Sequence, residues 1–93
     1  MKAVNMGEVA LKYRIMPESP DSDIENIVSK LSEVIPDDAT VGAHEVKPFA
    51  FGLNAIMVAI LGIDRDGFAT EVEEGLNGLP EVQTVVLEAQ SLI

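Results

Sequence analysis

Between Val9 and Ile15 the apolar residues Val9, Leu11, Tyr13 and Ile15 alternate with Ala10, Lys12 and Arg14. That period of two marks a strand with one buried face. The pattern stops at Met16-Pro17. Ser19-Pro20 and Asp21-Ser22-Asp23 then offer an N-cap, a proline at a first helical position and acids for a first turn. Ile24, Ile27, Val28, Leu31 and Val34 follow at helical spacing, and Pro36 ends this helix after Ile35. A second strand is expected from about Val41 to Lys47, and a third from about Leu53 to Leu61. Both faces of the third read as apolar, which predicts a central place in a sheet. Gly62 to Gly67 reads as a connection. Phe68, Val72 and Leu76 predict a second helix, interrupted by Gly75 and closed by Gly78 and Pro80, before a last strand from Val82 to Ala89.

The order strand, helix, strand, strand, helix, strand predicts an α+β ferredoxin-like sandwich (βαββαβ), a four-stranded antiparallel sheet with two helices on one face. Right-handed crossovers put strands one and three in the middle and strands two and four at the edges. Tyr13 is expected to face the helices, and Lys12 and Arg14 the open side of the sheet. This architecture serves many functions and selects none.

Composition narrows the choice. At 93 residues, 47% of them apolar, the chain is expected to form one small domain with one core. With no cysteine, disulfides, thiolate metal sites and thiol catalysis are excluded, and a reducing cytoplasm fits. The apolar run from Ala55 to Leu61 is far too short to span a bilayer, and Met1 to Asn5 lack an apolar signal core, so a cytoplasmic, unexported protein is expected. Six basic residues against sixteen acidic ones leave a net charge of −10, and no lysine or arginine follows Arg65. Such a field repels phosphate backbones, so direct binding to nucleic acid is not expected. A basic protein surface is the more natural partner, although acids also simply keep a small domain soluble.

Candidate chemistry is sparse. An RNA-binding domain of this fold would present aromatic rings on the open faces of strands one and three, and the third strand has none. A phosphate cradle would need basic residues after the first strand, where Glu18 stands instead. Ser22, Ser29, Ser32 and Ser91 have no evident base, and Asp37-Asp38 and Glu73-Glu74 read as solvated surface. No covalent chemistry, cofactor or metal site is expected. A small metabolite-sensing or regulatory module of the same fold stands as the alternative to a protein that recognises another protein.

The segment Gly42 to Gly52 favours recognition. It places Phe49, Phe51, Pro48 and Gly52 in a connection, in a chain with only three phenylalanines and one tyrosine. A hairpin between strands two and three would project from the sheet, stiffened by Pro48 and bent sharply at Gly52. Phe51 at its tip reads as an aromatic anchor, and Phe49 as part of the core. The two share parity along an extended chain, so this division requires the turn to intervene.

Gly42-Ala43-His44, Pro48 and Phe51-Gly52, taken with Met16-Pro17 and Ser19-Pro20, resemble the nucleotide-exchange domain of the elongation factor one-beta family, in particular its short archaeal form. The likeness runs from Gly7 to Ile93. Met6-Gly7-Glu8-Val9 is similar to the usual family start, so residues 1–5 are expected to be a disordered extension and 6–93 the exchange domain. The resemblance implies a guanine-nucleotide exchange factor that binds the GTPase elongation factor one-alpha in its GDP- and GTP-bound cycle, with a monomer as the favoured state. Its implied partner-binding residues are Phe51, Gly52, Pro48, His44, Lys47, Leu92 and Ile93. In eukaryotic members a phenylalanine of the matching Phe-Gly pair enters the GTPase, and a lysine near the C-terminus reaches towards the magnesium site. Phe51 matches the first, whereas Leu92 stands where that lysine would be, and Asn54-Ala55 replace a lysine pair after the glycine. Exchange here is therefore expected to rest on shape and apolar wedging, with Lys47, or Lys12 and Arg14, as other sources of charge. His44, placed at the start of a strand, reads either as a partner contact or as a hydrogen-bonded structural residue.

Overall fold

Alternation along the first strand becomes a division between two faces. In the computed structural model, which describes residues 7–92, β1 (Glu8–Pro17) buries Val9, Leu11, Tyr13 and Ile15 and leaves Ala10, Lys12 and Arg14 on the opposite side. The expected extension over residues 1–5, and Ile93, lie outside the described residues. After β1 come α1 (Ile24–Val34), β2 (Thr40–Pro48), a single 3-10 turn (Ala50–Gly52), β3 (Asn54–Ile63), α2 (Phe68–Asn77) and β4 (Val82–Leu92). The strands form one sheet in the order β2-β3-β1-β4, with every pairing antiparallel. The fold is the expected α+β ferredoxin-like sandwich, with β1 and β3 central.

Ile27 and Leu31 of α1 and Phe68, Val72 and Leu76 of α2 pack with the inward residues of β1 and with Ile56, Val58 and Ile60 of β3. Each such aliphatic side chain, fully buried, contributes about 1.5–3 kcal/mol. Tyr13 lies in this layer with its ring fully covered, and its hydroxyl donates to Glu73 Oε2 at 3.1 Å. Burial, and then this carboxylate, push the phenol pKa up.

Several local expectations change. Pro20 occupies a turn rather than a first helical position, because Ser22 N donates to the Ser19 carbonyl at 3.1 Å and Ser22 Oγ accepts from Ser19 N at 3.1 Å. Asp23 caps α1 instead, accepting from Asn26 N. Gly62, expected in a connection, is still part of β3: any side chain there would collide with the Phe68 ring, which fills the space its missing Cβ leaves. Gly75 does not interrupt α2. A Cβ at that position would strike the Val34 carbonyl, so the glycine is what lets the two helices approach. β4 runs three residues past Ala89, held by pairing to the start of β1 as far as Val9↔Leu92.

The start of α2 is closed by Arg65. Its guanidinium bonds Asp38 at 2.7 Å and Glu71 at 2.6 Å and lies 5.3 Å over the Phe68 ring. Hydrogen bonding to Arg65 lowers the pKa of both carboxyls. The molecule measures 50 × 20 × 18 Å. Ten-residue strands span about 33 Å while helices of this length span about 16 Å, so the sheet outruns its helical cover. The end left uncovered carries the β2–β3 hairpin, where Val46, Phe49 and Phe51 are exposed.

Candidate functional site

β2 and β3 pair as far as Pro48↔Asn54, and Phe49 N then donates to the Leu53 carbonyl at 2.7 Å. The chain reverses within Ala50–Leu53, where Leu53 N donates to the Ala50 carbonyl at 3.2 Å. Both central residues of that turn have positive φ, +62° at Phe51 and +75° at Gly52. This is the requirement of the tight turns that suit hairpin twist, for which Asn, Asp or Gly is the usual first residue. Glycine adopts such a backbone freely. Phenylalanine does so at a cost of about 1–2 kcal/mol.

Among the described residues little burial offsets that cost, since Phe51 is 92% exposed. Beside it lies the turn that follows β1: a Cβ on Gly52 would sit 3.8 Å from the Pro20 ring. Ser19-Pro20 and Phe51-Gly52, far apart in sequence, therefore form one end of the molecule.

Residues 10–93 of the chain match the family model of the EF-1 guanine nucleotide exchange domain. The chain belongs to that family. Among its archaeal relatives, each called Elongation factor 1-beta, the protein of Methanosarcina mazei is 41% identical over 86 residues, covering 90% of this chain and 97% of the relative. That of Methanococcoides burtonii is 39% identical over 80 residues, covering 86% and 90%. The Halobacterium salinarum protein is 32% identical over 83 residues, covering 89% and 94%.

Within this EF-1 exchange domain the structure gathers some of the expected site residues and separates others. Pro48, Phe51 and Gly52 share the hairpin end, with Lys47 at the last turn of the pleat, paired to Glu45 at 3.3 Å. His44 is the fifth of nine residues of β2 rather than its first, exposed on an edge strand just beyond a bulge. With Lys12, Glu45, Met57 and Ala59 it borders a shallow depression of about 400 Å³. Leu92 is exposed too, but at the opposite end, where it pairs with Val9. Eight residues of β1, about 26 Å, separate that register from the base of the hairpin. Ile93 lies outside the described residues.

Phe49 is not in the core. It is 46% exposed, and its ring lies 5.0 Å from the Arg14 guanidinium. The reason is parity. Phe49 continues the face of Glu45 and Lys47, which pair with Met57 and Ala55 on the side that no helix covers. The reversal that separates it from Phe51 begins only at Ala50.

Arg14 is the residue that sequence reasoning placed correctly on the open face but did not connect to the hairpin. It pairs with Glu88 of β4 at 3.0 Å while stacking on Phe49. Lys47 and Arg14 sharing one face with Phe49 was the available signal. Among the described residues no group of three His, Asp or Glu side chains converges to hold a metal, and no helix is long and apolar enough to cross a membrane.

Proposed function

We propose that this exchange domain acts on the GTPase elongation factor one-alpha, loosening GDP so that GTP can load, and that Phe51 is its anchor in that partner. The broad role, guanine-nucleotide exchange in translation elongation, comes with the family. The single observation that supports Phe51 is its cost: a left-handed backbone and a residue left 92% exposed, with little burial among the described residues in return. Such a residue can stabilise only a complex, and an aromatic entering a pocket commonly dominates interface energy.

Pro48 and Gly52 set the turn's shape, and Lys47 and His44 border the same arm of the sheet. Leu92 enters this reading as an apolar contact from the far end, which a partner could touch together with Phe51 only by spanning the sheet, and Ile93 enters it from the sequence alone. No bond is made or broken and no cofactor is needed. Exchange follows from linkage: whatever binds the nucleotide-free GTPase more tightly than the GDP-bound form weakens GDP by the same factor. A tenfold weakening corresponds to about 1.4 kcal/mol, within what one buried aromatic supplies. The domain acts in this way as a monomer in the cytoplasm.

The test is release of a fluorescent GDP analogue from the cognate GTPase. Phe51→Ala should cut the stimulated rate at least about tenfold, a loss of ~1.4 kcal/mol, while shifting folding stability by no more than about 0.5 kcal/mol. Undiminished release would refute the anchor.

A further inference from the structure

From the contacts across the open sheet face we infer that Arg14 is a positioning residue, which holds the hairpin in the pose that presents Phe51. The inference rests on the exchange reading for its consequence but not for its geometry. Arg14 stands on a central strand, flanked by Met57 on β3 and Val86 on β4. Its Nη1 meets Glu88 Oε2 at 3.0 Å, and its guanidinium carbon lies 5.0 Å from the centre of the Phe49 ring. Phe49 in turn closes the hairpin by its backbone bond to Leu53 and precedes the tip by two residues. A line of contacts thus runs from β4 through β1 to the arm.

Besides the Pro20 ring next to Gly52, this is the contact that ties the arm to the rest of the sheet. Val46, Phe49 and Phe51 are all exposed. Arginine suits the task in a way lysine does not, because a planar guanidinium can lie on a ring and pair with a carboxylate at once. It also gives up hydration to do so: Arg14 Nε is buried with no hydrogen-bond partner among the described residues. A mobile surface arginine would not accept that loss. Holding the arm in advance reduces the ordering that binding must otherwise impose, so the effect belongs in affinity for the GTPase and not in the maximal rate.

Arg14→Met keeps the length and removes both interactions. Two measurements on the full chain decide the matter: hydrogen exchange of the amides from Phe49 to Leu53, and nucleotide release as a function of exchange-factor concentration. The expected result is faster amide exchange in the hairpin and a half-saturating concentration raised about fivefold at an unchanged maximal rate. Arg14→Lys should fall between Arg14→Met and the unaltered protein. Hairpin amides and half-saturation both unchanged in Arg14→Met would overturn the inference. So would a lower maximal rate at unchanged half-saturation, which would place Arg14 against the nucleotide site itself. If Arg14→Met does not fold, Phe49→Leu removes the ring from the other side of the contact and must give the same two changes. Were Phe51→Ala to leave exchange untouched, the exchange reading would fall while the amide measurement would still report on the arm.

Discussion

An arginine lies on a phenylalanine at each end of this molecule, and the two pairs do opposite things. At the start of α2, Arg65 covers Phe68 at 5.3 Å, and the ring beneath is 2% exposed, sunk into the space left by Gly62. Arg65 then ties two carboxylates, Asp38 and Glu71, around itself. At the hairpin, Arg14 covers Phe49 at nearly the same distance, yet that residue is 46% exposed and leads to a Phe51 that is 92% exposed. The same two residue types close the fold in one place and hold an arm open in the other. What separates them is the face of the sheet: Phe68, itself part of α2, lies in the helix–sheet core, whereas Phe49 lies on the face that no helix covers.

That contrast breaks most readily at the buried end. Phe68→Ala should cost about 3–5 kcal/mol in denaturant unfolding, the loss of an aromatic from a filled core. Exchange activity should survive wherever the variant remains folded. A cost below about 1 kcal/mol would mean that the two ends are not different in kind.

A smaller and opposite effect belongs to the tip. Phe51→Asn places a residue tolerant of the left-handed region where phenylalanine is strained, and should raise stability by about 0.5–1 kcal/mol while lowering nucleotide release. Stability that falls on this change would show that Phe51 packs within the chain.

The smallest effect is one of pH. Hydrogen bonds to Arg65 hold the Asp38 and Glu71 carboxyls below their ordinary values of 3.8 and 4.5. A folded pKa below the unfolded one means stability that is present above the ordinary range and lost as pH falls through the folded values. Arg65→Met should therefore flatten the fall in melting temperature below about pH 4.5 and leave release at neutral pH unchanged. An unaltered acid limb would show that these exposed pairs contribute nothing measurable.

Much of the architecture could be read from the chain because it rests on short-range periodicity. Val9 to Ile15 could bury only one face, and Ile27 and Leu31 only one stripe, so strand, helix and their order followed. Glycines were harder to read. Gly62 and Gly75 look like breaks, yet each is set by a neighbour distant in sequence, Phe68 in one case and Val34 in the other. In the hairpin, the turn after Pro48 and the exposure of Phe51 followed from residue types, while the place of Phe49 did not. Parity alone puts it on the face of Glu45 and Lys47, but which face of β2 the helices cover is decided by how β2 pairs with β3 in the assembled sheet.

By itself, then, the sequence determined the six elements, their βαββαβ order, the inward residues of β1 and the likeness of Met16 to Pro20 and Gly42 to Gly52 to an exchange domain. These depend on side-chain period, turn chemistry and residue identity, all local properties. Only the tertiary structure decided that Ser19-Pro20 and Phe51-Gly52 form one end, that Leu92 lies at the other, and that Arg14 joins β4 to the hairpin. The physical reason is that strand register and the shorter reach of the helices set which residues meet and which are left uncovered, and neither is encoded at any single position.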